Sequence, residues 1–282
     1  MMPKVIGVVG AGQMGAGIAQ VFAQSGFDVL LLDTNEVGLQ KAVQSIRTSL
    51  EKFAAKGKIP IDAVADIMAH LRTTAQMSDF AAADVVIEAV TEDLKVKSQL
   101  FKSLDQILKA DAILASNTSS ISIAKLAEAT QRPGKVIGMH FMNPVPLMPC
   151  VEVIVADATN DTTFETIKGL VTKLGKTMVV SKDRAGFIVN RILMPMINEA
   201  AYAVQENLAS VQDIDTAMKL SCNFPMGPLT LADFIGLDTV VNILDVMQDG
   251  LVDPKFKPCP LLLDYVQKGW LGRKSGKGFY QY

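Results

Sequence analysis

The sequence predicts an α/β protein, in which a doubly wound sheet is followed by a second, all-helical domain. In the first part of the chain, short apolar runs rich in Val, Ile and Leu alternate with longer segments of helical periodicity. This alternation is typical of βαβ units, whose strands are covered by helices on both faces. After Asp183 the apolar residues recur at helical spacing. We therefore predict a first domain at 1–183 and a second at 184–282.

The individual elements follow from the same periodicities. The predicted strands are Val5–Val9, Val29–Leu32, Val85–Ala89, Ile113–Ser116, Val136–Met139, Cys150–Val155 and Thr177–Ser181. The helices predicted between the early strands are Met14–Ser25, Val37–Lys56, Lys95–Leu108 and Ile123–Ala129. The helices predicted for the second domain are Gly186–Glu206, Val211–Cys222, Pro228–Gln248 and Leu261–Lys268.

The segment Val37–Ala69 is longer than a simple crossover needs. It predicts two helices broken at Lys56–Pro60, and such a helical hairpin insertion is a candidate for facing a substrate. Lys52 and Lys56 are four residues apart and are predicted to share a helix face, with Ser49 and Lys58 nearby. This basic face is either solvated or holds the phosphates of a carrier such as coenzyme A.

Composition narrows the class of protein. A chain of 282 residues with 49% apolar residues can bury two cores and leave apolar surface for a subunit interface. The net charge of -2, from 27 basic and 29 acidic residues, gives no electrostatic footprint for nucleic acid. Three widely spaced cysteines without a CxxC pair predict neither a metal site nor a disulfide framework. With no apparent signal peptide or membrane span, we expect a cytoplasmic protein.

A glycine-rich loop follows the first predicted strand and opens the first predicted helix. Gly10, Gly12 and Gly15 have the GxGxxG spacing, with Gln13 and Met14 inside the motif. The glycines allow a tight turn and a close approach to pyrophosphate, and the helix N-terminus supplies N–H donors. The loop therefore predicts a Rossmann-like dinucleotide site.

Asp33 ends the second predicted strand, at the spacing of about 20 residues expected for an acid that binds a ribose. A carboxylate there accepts hydrogen bonds from the ribose hydroxyls and repels a 2′-phosphate, and no arginine directly follows it. We therefore predict NAD rather than NADP. The alternative, a glycine turn that binds nothing, is disfavoured because loop, strand, helix and acid occur together.

The chain contains two histidines, and their positions differ. His70 lies in a polar segment, Met68–Arg72, which we assign to a helix end with a solvated imidazole. His140 follows the strand at Val136, at a carboxyl end where ligands bind in this architecture. Glu152 lies on the next apolar run, and a returning strand would bring it to His140. A carboxylate on one imidazole nitrogen leaves the other to exchange a proton with an alcohol, although a structural histidine and an ordinary strand acid remain alternatives.

Other polar residues lie at unexpected places. Ser116–Ser120 directly follows a strand, and its hydroxyls fit either a site or a turn with a helix cap. Asn190 interrupts an apolar helix face and predicts a buried hydrogen bond to protein or to substrate.

Two glutamates, Glu88 and Glu92, flank the end of the third predicted strand, and Lys95 and Lys97 follow. An acid that ends a buried strand is a local conflict of the kind that marks sites. The alternative is a solvated helix start with ion pairs.

Taken together, these motifs resemble one family. The chain resembles the L-3-hydroxyacyl-CoA dehydrogenases over nearly all of its length, and most of all the free-standing bacterial 3-hydroxybutyryl-CoA dehydrogenases. The motifs that carry this resemblance are the glycine loop, Ser116–Ser120, Gly138–Pro144, Gly186–Arg191, Pro225–Pro228 with Gly236–Asp238, and Gly272–Gly276 ahead of Gly278–Tyr280.

The resemblance implies an NAD-dependent interconversion of (S)-3-hydroxyacyl-CoA and 3-ketoacyl-CoA, with acetoacetyl-CoA as the C4 substrate. It also implies a homodimer formed through the helical domain. It implies that His140 is the general acid/base and Glu152 its orienting partner, and that Ser119 and Asn190 bind the reacting oxygens. The residues that it places at or near the dinucleotide are Gly10, Gly12, Gln13, Met14, Gly15, Asp33, Glu92, Lys97, Asn117, Asn143 and Lys274. It places Ser49 and Lys56 at the coenzyme A portion.

One departure from the family pattern is Met142, which stands where many relatives have a second Phe. Two other functions remain open at this point: a non-catalytic NAD-binding protein, since a lens crystallin is related to the family, and a dehydrogenase of free β-hydroxyacids with a lysine as proton donor. The complete set of catalytic positions argues against the first, and the basic hairpin against the second.

Overall fold

An eight-stranded sheet forms the centre of the first of two units in the computed structural model, which describes residues 2–282. The first unit ends at Asp183, and the second is Arg184–Tyr282. The strands are β1 (Val5–Val9), β2 (Asp28–Leu32), β3 (Leu71–Thr74), β4 (Val85–Glu88), β5 (Ile113–Ser116), β6 (Val136–Phe141), β7 (Cys150–Val155) and β8 (Thr177–Lys182). The predicted α/β class, with a helical second unit, is confirmed.

The strand order is β3-β2-β1-β4-β5-β6-β7-β8. Neighbouring strands are parallel except β6 and β7, which are antiparallel, so the last two strands run against the other six. The chain builds outward from β1 first towards β3 and then, from β4, in the other direction. This reversal between β1 and β4 is a topological switch point, beside which ligands bind in open α/β sheets.

Within residues 2–183 the first unit has six α-helices: α1 (Gln13–Gln24), α2 (Glu36–Ala55), α3 (Ala63–Ala69), α4 (Leu94–Ile107), α5 (Ile123–Ala127) and α6 (Asp161–Lys173). Several begin where the sequence provides a capping side chain. Asn35, Asp93 and Asn160 each accept a hydrogen bond from the backbone N–H three residues further on. Each such cap contributes about 1 kcal/mol, and together they fix where α2, α4 and α6 begin.

The core of the first unit lies between the sheet and its helices. β4, β5 and β6 are buried along their whole length, as expected for central strands covered on both faces. The ring of Phe22 on α1 lies 6.4 Å from that of Phe141 on β6 and 5.5 Å from that of Phe27, in edge-on geometry. These contacts seat α1, which carries the glycine loop, on the sheet.

The predicted hairpin insertion is confirmed, but the residues after it were assigned wrongly. α2 and α3 are separated at 56–62, whereas α3 ends at Ala69 and Leu71–Thr74 forms the edge strand β3 beside β2. This strand is polar and has no apolar run from which it could be predicted, because an edge strand exposes one side to solvent. His70 is half-buried at the end of α3, with Nδ1 3.2 Å from Oδ1 of Asp28.

The second unit contains five helices: α7 (Val189–Gln205), α8 (Val211–Ser221), α9 (Pro228–Ile235), α10 (Leu237–Leu251) and α11 (Pro260–Gln267). Their core includes Met194, Val240, Leu244 and Leu262, all nearly inaccessible to solvent. The single helix predicted at Pro228–Gln248 is wrong, because Gly236 adopts φ +102° and divides it into α9 and α10. A backbone with that dihedral cannot continue a right-handed helix.

Two buried aspartates hold the end of the chain against this helical unit. Asp215 accepts hydrogen bonds from the N–H of Leu229 at 2.8 Å and from the hydroxyl of Tyr280 at 2.8 Å. Asp233 accepts from the N–H groups of Phe279 and Tyr280, each at 2.9 Å.

Within residues 2–282, none of the helices has the length and apolar character needed to cross a membrane.

Candidate active site

His140 and Glu152 face each other across the antiparallel pair formed by β6 and β7. They are directly paired in register, and Nδ1 of His140 lies 3.0 Å from Oε2 of Glu152. Opposed residues in such a pair project from the same face of the sheet, which is why two residues twelve positions apart meet. Glu152 is fully buried and His140 is 8% exposed. A buried carboxylate on Nδ1 selects the tautomer that carries its proton there and assigns proton exchange to Nε2.

The 116–120 loop, Ser116–Ser120, begins at the last residue of β5, at the carboxyl edge of the sheet next to β6. The side-chain oxygen of Asn117 accepts a hydrogen bond from the N–H of Phe141 at 2.9 Å. The backbone N–H of Asn117 donates to the carbonyl of Glu88 at 2.8 Å. Asn117 therefore ties the loop both to β4 and to the strand that carries His140. The sequence allowed Ser116–Ser120 to be either part of a site or a turn with a helix cap. The residue that caps α5 is Ser122, which lies outside this run and whose hydroxyl accepts a hydrogen bond from the N–H of Lys125.

One carboxylate oxygen of Glu92 accepts several hydrogen bonds from the other end of the 116–120 loop. Its Oε1 accepts from the hydroxyl of Thr118 at 2.6 Å and from the N–H groups of Ser119 and Ser120 at 2.9 and 3.1 Å. Burial by itself would raise the pKa of Glu92, but the positive charge of Lys97 and these hydrogen bonds hold that pKa below its usual value. Glu92 is therefore anionic at neutral pH and organises the turn that contains Ser119.

The cluster of Glu88, Glu92 and Lys97 is not a solvated helix start, so that alternative is wrong. Glu88 is fully buried and Lys97 is 1% exposed. Nζ of Lys97 lies 2.6 Å from Oε1 of Glu88 and 3.2 Å from Oε2 of Glu92. A buried cation with two carboxylates requires a specific arrangement, because an unpaired charge at this depth costs several kcal/mol.

The glycine loop has the geometry of a dinucleotide site. Gly10 adopts φ +101°, and a Cβ on Gly15 would lie 1.7 Å from the carbonyl oxygen of Gly10. A Cβ on Gly12, by contrast, would meet no protein atom within 4 Å. Gly10 and Gly15 are thus required by the turn itself, whereas Gly12 leaves open space at the start of α1. That space fits the pyrophosphate of a dinucleotide beside the helix N-terminus.

Asp33 directly follows β2 and is oriented by the same loop. Its Oδ2 accepts from the N–H of Ala11 at 2.7 Å, and its Oδ1 accepts from the N–H of Asn35 at 2.9 Å. These bonds hold the carboxylate next to the glycine loop, as a ribose ligand requires. Gln13 is exposed at the first position of α1, and Met14 packs partly against the core.

The loop between β6 and β7 contains Asn143, which is exposed, and is held by a lysine that the sequence did not indicate. Nζ of Lys176 donates to the carbonyls of Val145 and Met148 at 2.8 and 2.7 Å. Burial lowers the pKa of Lys176. Val145 is buried, and Gly17 on α1 leaves space for it, since a Cβ on Gly17 would lie 2.8 Å from Cβ of Val145.

A cavity of about 590 Å³ lies between α2 and the same loop. Its lining includes Ser49, Lys56 and Lys58 on one side and Pro144 and Leu147 on the other. The face of α2 and the residues after it are basic here, as predicted, although α2 ends at Ala55 and Lys56 occupies its C-cap. A cavity with several ammonium groups and an apolar wall fits a phosphorylated carrier with an apolar arm.

Two predicted site residues lie in the second unit. Asn190 is 6% exposed at the second position of α7. Lys274 lies in the short turn Arg273–Ser275, and its Nζ donates to Oδ2 of Asp238 at 2.7 Å.

Asp183 is a further residue that sequence reasoning missed. It follows β8 and accepts hydrogen bonds from the N–H groups of Ile123 and Ala124 at 3.0 and 2.8 Å. It also accepts from the hydroxyl of Ser122 at 2.8 Å. The carboxylate thus caps α5, just after the 116–120 loop. No local signal marks it, because its partners lie about sixty residues earlier in the chain.

Both units match known family models. Residues 5–184 match the model described as 3-hydroxyacyl-CoA dehydrogenase, NAD binding domain, and residues 186–282 match 3-hydroxyacyl-CoA dehydrogenase, C-terminal domain. The chain is 51% identical to a 3-hydroxybutyryl-CoA dehydrogenase of Bradyrhizobium diazoefficiens, over 99% of this chain and 95% of that protein. It is 53% identical to a probable 3-hydroxybutyryl-CoA dehydrogenase of Deinococcus radiodurans, over 98% and 99% of the two chains.

Solved structures agree with these matches. The crystal structure of (S)-3-hydroxybutyryl-CoA dehydrogenase from Ralstonia eutropha superposes with a TM-score of 0.97 at 45% identity, covering 99% of each chain.

The fold, the glycine loop with Asp33 and the His140–Glu152 pair define a dinucleotide-dependent dehydrogenase. The two family models together cover nearly the whole chain. The chain belongs to the 3-hydroxyacyl-CoA dehydrogenase family. The predicted family is thereby confirmed, and so is NAD as the cofactor, since the model matched by the first unit is an NAD binding domain.

Proposed function

We propose that this protein interconverts (S)-3-hydroxyacyl-CoA and 3-ketoacyl-CoA thioesters with NAD and NADH, and that 3-hydroxybutyryl-CoA and acetoacetyl-CoA are its substrates. The observation that carries the proposal is the contact between Nδ1 of His140 and the buried carboxylate of Glu152. Relatives about half identical to the chain are named 3-hydroxybutyryl-CoA dehydrogenases, which supports the C4 substrate.

In this proposal His140 moves the proton of the reaction. In the oxidative direction its Nε2 takes the proton of the 3-hydroxyl group, and Glu152 stabilises the imidazolium that forms. In the reductive direction the imidazolium returns the proton to the oxygen at carbon 3. When bound, NAD supplies the hydride acceptor of the oxidation, and NADH the hydride donor of the reverse reaction.

Ser119 holds a reacting oxygen in line with His140, a positioning effect that is typically worth several kcal/mol of the barrier. The resemblance alone assigns a similar role to Asn190. The support for Ser119 is its place in a turn fixed by Glu92, at the carboxyl edge of the sheet. Asn190 matches the family position and is buried at the start of α7.

The glycine loop would hold the pyrophosphate of the dinucleotide, and Asp33 would hold its adenosine ribose. Glu92, Asn117 and Asn143 stand on the loops beyond β4, β5 and β6, which is the edge where this architecture binds ligands. Lys274 is assigned to the dinucleotide from its match to the family position. Ser49 and Lys56 bind the coenzyme A portion in the cavity beside α2, where ammonium groups face an apolar wall.

The second unit is proposed to form a homodimer. It exposes several large apolar side chains that a monomer would leave in water: Ile192, Leu208, Leu220 and Val252, which are 68% to 88% exposed. Size-exclusion chromatography with light scattering tests this, and a monomeric mass at micromolar concentration would contradict it. A cytoplasmic location stays a prediction.

The experiment that tests the function follows NADH consumption with acetoacetyl-CoA, and repeats it with NADPH and with free acetoacetate. We expect rapid turnover with NADH and the thioester, and at least tenfold slower turnover when either is replaced. Equal activity on free acetoacetate would favour a dehydrogenase of free acids. No oxidation of NADH, in a protein that binds it, would favour a non-catalytic NAD-binding protein.

A further inference from the structure

Glu88 is a fully buried carboxylate that the proposed reaction does not use. It ends β4 and pairs in register with Ser116, the last residue of β5. Its Oε2 accepts from the hydroxyl of Ser116 at 2.6 Å, and its Oε1 accepts from the N–H of Val90 at 2.6 Å. The carboxylate is thus fixed at the ends of two neighbouring strands in the interior of the sheet.

Lys97 connects Glu88 to Glu92. Its ammonium lies 2.6 Å from Oε1 of Glu88, 3.2 Å from Oε2 of Glu92 and 3.4 Å from the carbonyl of Val90. An ammonium has three donors, and three protein acceptors surround this one. Lys97 is also 1% exposed, so its ammonium is enclosed by these protein acceptors.

The two carboxylate oxygens of Glu92 have different partners. Oε2 faces Lys97, while Oε1 accepts from the backbone N–H groups of Ser119 and Ser120 and from the hydroxyl of Thr118. A carboxylate that accepts hydrogen bonds from two successive backbone N–H groups fixes the conformation of the backbone at Ser119 and Ser120. The position of Ser119 therefore depends on Glu92, and the position of Glu92 depends on Lys97.

We propose that Glu88 and Lys97 are positioning residues for the reaction: Lys97, anchored by Glu88, fixes Glu92, and Glu92 fixes the turn that presents Ser119. This rests on the proposed role of Ser119 in binding a reacting oxygen. The resemblance places Lys97 at or near the dinucleotide, and the proposed role adds to this an effect on the substrate side, exerted through Glu92.

The test replaces the buried pair without leaving a charge unmatched. Lys97→Met alone would leave the buried carboxylate of Glu88, and Glu92 beside it, without their cation, and that variant is expected to unfold. The double variant Glu88→Gln, Lys97→Met removes one charge of each sign at similar volume, so the net charge of the site is unchanged. Glu165→Gln, Lys168→Met on α6 is the matched control, since that pair is half-exposed and distant in the chain.

In the double variant we expect kcat with acetoacetyl-CoA at saturating NADH to fall about 10- to 100-fold, the loss typical of a displaced positioning group. The dissociation constant of NADH is measured in parallel by its fluorescence, so that a change in cofactor binding is separated from the fall in kcat, and the control variant is expected to match the wild type in both.

A pH profile separates positioning from plain stability. The charged groups that face Glu92 are Lys97 on α4 and, through it, Glu88 on β4, together with the hydroxyls of the 116–120 loop. Without Lys97 the pKa of Glu92 rises, so the protonated form appears at higher pH. The acid limb of kcat should therefore move to higher pH in the double variant, and stay in place in the control.

The outcomes are distinguishable from failure of the proposed function. A wild-type protein inactive with acetoacetyl-CoA would contradict the function itself. An active wild type with an unchanged kcat in the double variant would overturn the positioning role, as would a raised NADH dissociation constant with full kcat at saturation. Should the double variant not fold, Glu88→Gln alone decides: it leaves one ammonium with one carboxylate, and an unchanged kcat would again overturn the proposal.

Discussion

Nδ1 of His140 lies 3.0 Å from Oε2 of Glu152, and the two residues are directly opposed in the antiparallel pair of β6 and β7. The carboxylate is fully buried, so it has little water to compete for its hydrogen bond. Both partners stand on strands rather than loops, and their separation is therefore set by the sheet. An imidazole held in this way keeps one orientation, and its neutral form keeps one tautomer.

Glu152→Gln should lower kcat about 100-fold while leaving NADH binding within about twofold, because an amide cannot stabilise the imidazolium that forms on His140. Steady-state rates with acetoacetyl-CoA and NADH fluorescence measure the two quantities. Glu165→Gln, on the exposed face of α6, is the control and should change neither. A Glu152→Gln variant with wild-type kcat would remove Glu152 from the mechanism.

Two glycines of the same loop should respond in opposite ways to substitution by alanine. Gly15→Ala places Cβ 1.7 Å from the carbonyl oxygen of Gly10, so we expect a loss of at least about 3 kcal/mol in unfolding free energy. Gly12→Ala meets no protein atom within 4 Å, and its Tm should stay within about 2 °C of the wild type.

The Gly12 variant should nevertheless bind NADH at least about tenfold more weakly, because its methyl group fills the space assigned to the pyrophosphate. Thermal melts and NADH titrations of both variants are the measurements. Unchanged NADH affinity in Gly12→Ala would mean that the dinucleotide does not approach this part of the loop.

Lys56→Ala should raise KM for acetoacetyl-CoA about 5- to 20-fold with kcat within about twofold, as expected for loss of one charge-assisted contact to phosphate. Lys56 lines the cavity beside α2, whereas Lys125 on α5 does not and provides the control. A short acetoacetyl thioester without the nucleotide should show no difference between wild type and Lys56→Ala. An equal effect on both thioesters would show that Lys56 acts on the acyl part or on folding instead.

Tyr280→Phe should destabilise the protein by about 1–3 kcal/mol at pH 8, since it removes a hydrogen bond to the buried carboxylate of Asp215. Burial and the neighbouring Asp215 raise the pKa of Tyr280 from 10.0 to about 12. The phenol is therefore favoured in the folded state, and its contribution is complete below pH 10 and is lost as the pH rises from 10 to about 12.

The difference in unfolding free energy between wild type and Tyr280→Phe should accordingly shrink across that range. Urea titrations at pH 8, 10 and 11 measure it. A difference that stays constant with pH would contradict the assigned hydrogen bond.

Much of the fold could be predicted because its signals are local. β1, β5 and β7 have the bounds that their apolar runs predicted, and the hairpin of α2 and α3 follows from its length and its break. The edge strand β3 and the division at Gly236 escaped prediction. In both cases the sequence carries a pattern compatible with helix, and hydrogen bonds to distant residues or a single backbone dihedral decide the outcome.

The sequence by itself determined the sheet and the dinucleotide loop, since those depend on periodicity and on glycine spacing, and it placed His140 and Glu152 where a returning strand would bring them together. Tertiary structure decided which charges are buried and which are paired. From the sequence Lys97 is an ordinary lysine near a helix start, yet the fold buries it and places its ammonium beside the carboxylates of Glu88 and Glu92. Lys176 likewise reaches carbonyls about thirty residues earlier in the chain. The physical reason is that the free energy of a charge depends on its surroundings, and those are supplied by residues far away in the sequence.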